Sequence, residues 1–148
     1  MSTIAQIEDA MLAALRAKLP GVQVETLPGP AEEAIRRSMR TPAVWVVWTG
    51  ERPEGAPQRH GQGVHQKFVQ TFDVVVVTKN LRSIKEGVRG AYELIDAVLD
   101  QLIGLKVLGT TGFLSYAGTR LLDVEAGLFV YLCTFEVQTA ITANAKEG

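Results

Sequence analysis

At 148 residues, 47% apolar and 21% charged, the chain has the size and composition of one folded domain, able to bury about two thirds of its unfolded surface without metal or disulfide staples. The balance of 15 basic against 16 acidic residues gives a formal net charge of -1 and excludes the strongly basic footprint of a protein that coats nucleic acid. Cys133, the single cysteine, excludes an intrachain disulfide and a thiolate-rich metal site and fits a reducing cytoplasm; no stretch approaches the roughly 18 apolar residues of a membrane span.

Ile4, Ile7, Met11, Leu15 and Leu19 recur at helical spacing, Thr3 and Gln6 offer a capping box, and Pro20 with Gly21 ends the segment, which predicts an amphipathic helix. Glu8 and Asp9 interrupt any apolar run there, so it does not read as a signal peptide. "VQVET" at 22–26 alternates as a short strand, and Pro30 followed by Glu32 and Glu33 opens a second, shorter helix. "AVWVVWTG" at 43–50 is β-branched and aromatic on both faces, a buried strand. Gly50, Gly55, Gly61 and Gly63 with Pro53 and Pro57 interrupt the next stretch, so 50–65 reads as a long irregular loop.

"FVQTFDVVVVTKN" at 68–80 alternates as a long strand. Ile84, Val88, Ala91, Tyr92, Ile95, Val98, Leu99 and Leu102 then form a continuous helical stripe, capped by Ser83 with Glu86 and ended by Gly104. Gly87 and Gly90 each cost about 1 kcal/mol relative to alanine inside that helix, which points to close approach of a neighbouring backbone. After a weak region around 105–118, Glu125, Ala126 and Gly127 read as a hairpin turn between strands near 119–124 and 128–141. No repeat or linker divides the chain, so 1–148 is a single domain with 142–148 as a frayed tail.

Both long strands have one nearly all-apolar face and one that is half apolar. In the first, Phe68, Phe72, Val74 and Val76 oppose Val69, Thr71, Asp73, Val75 and Val77. In the last, Phe129, Tyr131, Cys133, Phe135, Val137 and Ile141 oppose Leu128, Val130, Leu132, Thr134, Glu136 and Gln138. Antiparallel pairing puts Val75 and Val77 beside Leu128, Val130 and Leu132, in one patch on the side away from the helices. A patch of that size marks a contact between subunits unless the second helix, the region around 105–114 or another strand of the same chain covers it. These five residues are the subunit-interface candidates.

Catalytic chemistry has little to stand on. His60 and His65 lie in or beside the glycine-rich segment without a ligand-like spacing or an acidic cluster, so they read as solvated and not as metal ligands. Cys133 falls on an apolar face and reads as a buried small hydrophobe. "GTTG" at 109–112 lacks the lysine of a phosphate loop, and Glu32, Glu33, Glu93, Asp96 and Asp100 fall on helix exteriors. Trp45 and Trp48 take opposite faces of their strand and read as packing residues. Arg52, Arg59, His60 and Lys67, set against Glu51 and Glu54, are candidates for contact with a partner surface or, in a ring, with DNA in a lumen.

The order helix, short strand, short helix, strand, long loop, long strand, long helix and strand hairpin, with "IEDAMLAALRAKLPGVQVETLPG" and "FDVVVVTKNLRSIKEGVRGAYELIDAVLDQLIG", resembles the small tail proteins of Mu-like phages and prophages, of the tail-terminator or head-to-tail joining kind. The resemblance implies an α+β fold, a mostly antiparallel sheet of about four or five strands with helices packed on one face. It also implies a non-enzymatic, cofactor-free subunit of a ring, commonly a hexamer, at the head-proximal end of the tail tube. There the ring ends tube polymerisation and gives the head its docking surface. Its partners are then itself, the tail tube protein and a head-side connector protein, with DNA passing transiently through the lumen and no membrane. Its place is the virion tail, assembled in the cytoplasm of the bacterial host. The reading from another class is a small ligand-binding or enzymatic α+β domain built on the 50–65 loop.

Overall fold

A computed structural model describes residues 3–27, 41–80, 83–107, 110, 112–125 and 127–146, with backbone alone at His60 and Glu125. The expected short helix near Pro30, with Glu32 and Glu33, lies outside the described residues. Helix α1 (Thr3–Lys18) turns Ile7, Met11, Leu12 and Leu15 inward. Strands β1 (Gln23–Thr26), β2 (Ala43–His60) and β3 (Gly63–Lys79) follow, then helix α2 (Ile84–Leu102) and the hairpin of β4 (Ser115–Glu125) and β5 (Leu128–Asn144). The five strands form one sheet in the order β1-β2-β3-β5-β4, with β1 parallel to β2 and every other pair antiparallel.

Both described helices lie on the same face of the sheet, which makes the fold α+β as the resemblance implies. Ile7, Met11 and Leu15 of α1 and Ile95, Val98 and Leu102 of α2 pack on Val44, Val46, Phe72, Val74, Val76, Cys133 and Phe135. Each large aliphatic or aromatic side chain so buried contributes about 1.5–3 kcal/mol of transfer free energy. Ser83 caps helix α2 as expected, the Glu86 amide donating to Ser83 Oγ at 3.2 Å, but the reciprocal half of the capping box is replaced: the Ser83 amide donates to Asn80 Oδ1 at 3.1 Å. Ser83→Ala is expected to cost about 1 kcal/mol, read as a lower midpoint in urea with an unchanged slope.

Two expectations are corrected. The stretch 50–65 is not an irregular loop: β2 runs to His60 and β3 starts at Gly63, joined by a tight turn in which Gly61 has φ 61°. Its glycines and prolines sit where an edge strand tolerates them. Pro53 opposes Phe68, Gly50 takes φ 152° at a register shift after Trp48, and Pro57 falls within the second shift between Glu54 and Gln58. Residues 142–144 are likewise strand and not frayed tail, because Thr142, Ala143 and Asn144 pair with His65, Val64 and Gly63. The ends of β2, β3 and β5 therefore form a three-stranded arm, exposed along its β2 strand from Glu51 to Arg59.

A buried amide joins the arm to the body. Gln70, 4% exposed, donates from Nε2 to Glu51 Oε2 at 2.7 Å and to Thr139 Oγ1 at 3.2 Å, while Trp48 Nε1 donates to Gln70 Oε1 at 3.0 Å. Both amide protons and the carbonyl oxygen of that side chain are engaged, across three strands.

Candidate assembly surfaces

The side of the sheet away from the helices carries the five interface candidates. The strands pair antiparallel as expected, with Val75 opposite Leu132, Val77 opposite Val130 and Lys79 opposite Leu128. The side chains do form one patch, but within the single chain it is already closed. Val75 and Val77 are 0% exposed, Val130 1% and Leu132 5%, packed with Leu27, Ala43 and Trp45, and with Leu122 and the partly buried Leu128 against them. This is a second core, and the four buried residues present no surface to another copy. Alternation along a strand shows that a face is covered; it carries no information about which chain supplies the cover.

The charged candidates lie on the arm, where they are partnered and mixed in sign. Arg52 Nη1 donates to Glu136 Oε2 at 2.8 Å, Gln138 Nε2 donates to Glu54, and Lys67 pairs across the strands with Glu54. Arg52, Glu54, Lys67, Glu136 and Gln138 thus share one face. An ion pair as exposed as Arg52 with Glu136 contributes about 0–1 kcal/mol, so its role is to set the surface pattern. Arg59 is held apart near the turn, its Nε donating to the Gly61 carbonyl at 3.2 Å, and His60 ends β2 beside it. His65 Nδ1 lies 3.0 Å from Thr142 Oγ1. The arm brings Arg52 and Lys67 together and leaves Arg59 and His60 at its tip.

Among the described residues no group of three His, Cys, Asp or Glu side chains could hold a metal ion, and no helix is long and apolar enough to cross a membrane. Cys133 is buried. Burial pushes its thiol above the ordinary range, Asp73 pushes in the same direction, and the Thr119 hydroxyl, donating to Sγ at 3.4 Å, opposes them. A raised folded-state pKa means that the stabilisation is complete below the unfolded thiol's pKa and is lost as pH rises beyond it. Native protein at neutral pH is expected to resist maleimide, with Cys133 labelled only after unfolding; mass spectrometry of the two samples checks this.

Part of the exposed apolar surface lies at the other edge of the sheet. β4 pairs with β5 alone among the described strands, and it carries Leu121 at 53% exposure and Val124 at 48%. Tyr92 of α2, 52% exposed, stands beside that edge with its ring 6.1 Å from Tyr131 in an edge-to-face contact. Burial, with Tyr92 beside it, raises the Tyr131 hydroxyl above its ordinary range. The sequence signal was present in the adjacent Leu121 and Leu122: a register shift between Leu121 and Asp123 sends Leu122 to the inner core and leaves Leu121 outside.

Comparison with known proteins gives three findings. Residues 6–146 match the sequence family described as "Phage tail terminator protein". The chain is 28% identical over 102 residues to "Mu-like prophage FluMu protein gp37" of Haemophilus influenzae strain Rd, covering 66% of this chain and 48% of that protein, so it spans about half the length of the curated relative it matches. A chain of the solved structure described as "Virion of native gene transfer agent (GTA) particle" superposes with a TM-score of 0.59 at 19% identity, covering 94% of this chain and 98% of that one, a likeness of fold.

Proposed function

The chain belongs to the phage tail terminator family, a family of structural phage tail proteins, and from that premise we propose that it forms a ring at the head-proximal end of the tail tube, ends tube polymerisation and offers the head its docking surface. Family membership over nearly the whole chain is the observation that carries this reading. The structure supports it in two ways. The two sides of the subunit differ, with an exposed apolar β4 edge on one and the short β1 on the other, and repeated contact between unlike surfaces closes into a ring when the rotation between neighbours allows. The arm, exposed along β2 from Glu51 to Arg59, offers a surface to whatever stands above or below the ring.

The partners in this reading are further copies of the chain, the tail tube protein and a head-side connector protein, with DNA passing through the lumen. The subunit acts by shape and attachment, without catalysis, in the virion tail after assembly in the host cytoplasm. Arg52, Arg59, His60 and Lys67 belong to the partner-contacting arm. The alternation of Arg52 and Lys67 with Glu54 and Glu136 suits a protein surface of mixed charge better than a row of phosphates.

The test is polymerisation of the tail tube protein of the same phage with and without this chain. The expected result is shorter tubes with the chain at one end only, seen by electron microscopy with a gold-labelled tag. Tubes of unchanged length with no labelled ends would overturn the reading. Light scattering over a wide concentration range shows separately whether the ring precedes the tube.

A further inference from the structure

A pocket of about 390 Å³ opens between the middle of α2 and the start of β2, walled by Pro42, Leu94 and Ala97. Two independent features of it are unexplained among the described residues. Gly90, inside α2, lines it, and a Cβ added there would meet nothing within 4 Å; at Gly87, three residues earlier, an added Cβ would overlap the Phe129 ring. The first glycine of the pair, Gly87, serves an internal contact and Gly90 does not. Thr78 also lines the pocket: its residue is 9% exposed, and its Oγ1 is buried without a hydrogen-bond partner among the described residues. A buried hydroxyl that lacks a partner among the described residues is suited to one from outside.

We propose that this pocket receives the β4 edge of a second copy of the chain, with Val124 foremost, in the head-to-tail contact that builds the ring. The inference rests on the ring reading above. An edge strand supplies what the pocket lacks: an aliphatic side chain for its walls, and unpaired backbone N–H and C=O groups for Thr78. Height agrees as well. Val124 pairs with Phe129 and Phe129 with Thr78, so the exposed side chain and the pocket floor lie in one cross-strand row. They face opposite sides of the subunit, since Tyr92 leans over β5 while Gly90 and Glu93 face Pro42. A rotation about an axis along the strands therefore carries one onto the other.

Simple extension of the sheet from copy to copy is disfavoured. The part of β2 left uncovered by β1 carries Pro53, Pro57 and two register shifts, features that blunt an edge against pairing.

The test uses two single substitutions in copies carrying tags of different mass, Gly90→Cys in one and Val124→Cys in the other, mixed and mildly oxidised. Because a disulfide forms only when Cα atoms come within about 7 Å, the mixed disulfide is expected to exceed either self-pair at least tenfold. That excess supports the contact even where the wild-type protein scatters as a monomer, because cross-linking traps weak association. Mixed pairs no more abundant than self-pairs would overturn it, and rings of the wild-type protein alongside that result would leave the ring reading standing. Dominant self-pairs would reveal a two-fold contact and overturn both. Gly90→Leu gives a second reading: filling the pocket is expected to raise the melting temperature by a few degrees while lowering assembly at least tenfold. A Gly90→Leu protein that assembles like the wild type would overturn the proposal.

Discussion

Val130→Asp is expected to leave little folded protein at ordinary temperature. Val130 is 1% exposed on the side of the sheet away from the helices, against Val77 and Leu132 with Leu27 and Trp45 in the same cluster. A carboxylate there has no cation among those neighbours, and an unpaired buried charge costs about 3–5 kcal/mol, a large part of the roughly 5–15 kcal/mol that holds a domain together. Thermal unfolding by circular dichroism would show loss of the cooperative transition. Val130→Ala, which removes methyl groups without adding charge, should cost only about 2 kcal/mol and stay folded. A folded Val130→Asp protein that had lost nothing but association would show instead that this face opens onto a neighbour.

The second large effect is expected at Gly87. The helix has room for no side chain there, because the first atom of one would overlap the Phe129 ring, which is itself 1% exposed and cannot swing aside. Gly87→Ala should cost about 1–3 kcal/mol from overpacking, partly offset by about 1 kcal/mol of improved helix propensity. Gly87→Leu should go beyond that range, because α2 must then lift from β5. The midpoint of urea unfolding for the two variants, set beside that of Gly90→Ala, separates the glycines: the first position loses stability with side-chain size and the second gains it. Equal responses at both would mean that Phe129 does not press on the helix.

Much of this fold was legible because it is written locally. The helix from Ile84 to Leu102 and the cap at Ser83 each depend on residues within a few positions, and both are present, with Ala91, Ile95, Val98 and Leu102 of the stripe buried while Ile84 and Tyr92 stand exposed. The alternation of β3 and β5 also placed Val75 and Val77 on one face with Val130 and Leu132, although a slip of two residues would keep the same faces and the exact pairing of Val75 with Leu132 comes from the structure. The arm was misread for the opposite reason. Around Pro53 and Gly55 every local preference is for a turn, and the extended state is imposed by pairing with distant strands. Arg52 finds Glu136 across 84 residues of sequence. No inspection of its neighbours would have found that partner.

The candidate sites show the same division. That Val75, Val77, Val130 and Leu132 needed cover was readable; that the cover is already present within one chain was not. Gly90 drew notice as a glycine within a helix, but its separation from Gly87 depends on Phe129 lying under one and open space under the other. The buried hydroxyl of Thr78 looks like any strand threonine until its surroundings are known.

The position of β5 in the sheet constrains how the chain reaches its structure. It is the last strand in sequence, yet it lies between β3 and β4, and it pairs along its length with β3 from Gly63 with Asn144 to Lys79 with Leu128. During synthesis β3 can find β2 early, but its other edge stays bare until the ribosome has released residues near 144. Closure of such distant pairs is slow, and a half-made sheet with an open hydrophobic edge is the form in which nascent chains aggregate. The interval between the emergence of β3 and the arrival of β5 is therefore the stage at which the nascent chain is most open to aggregation.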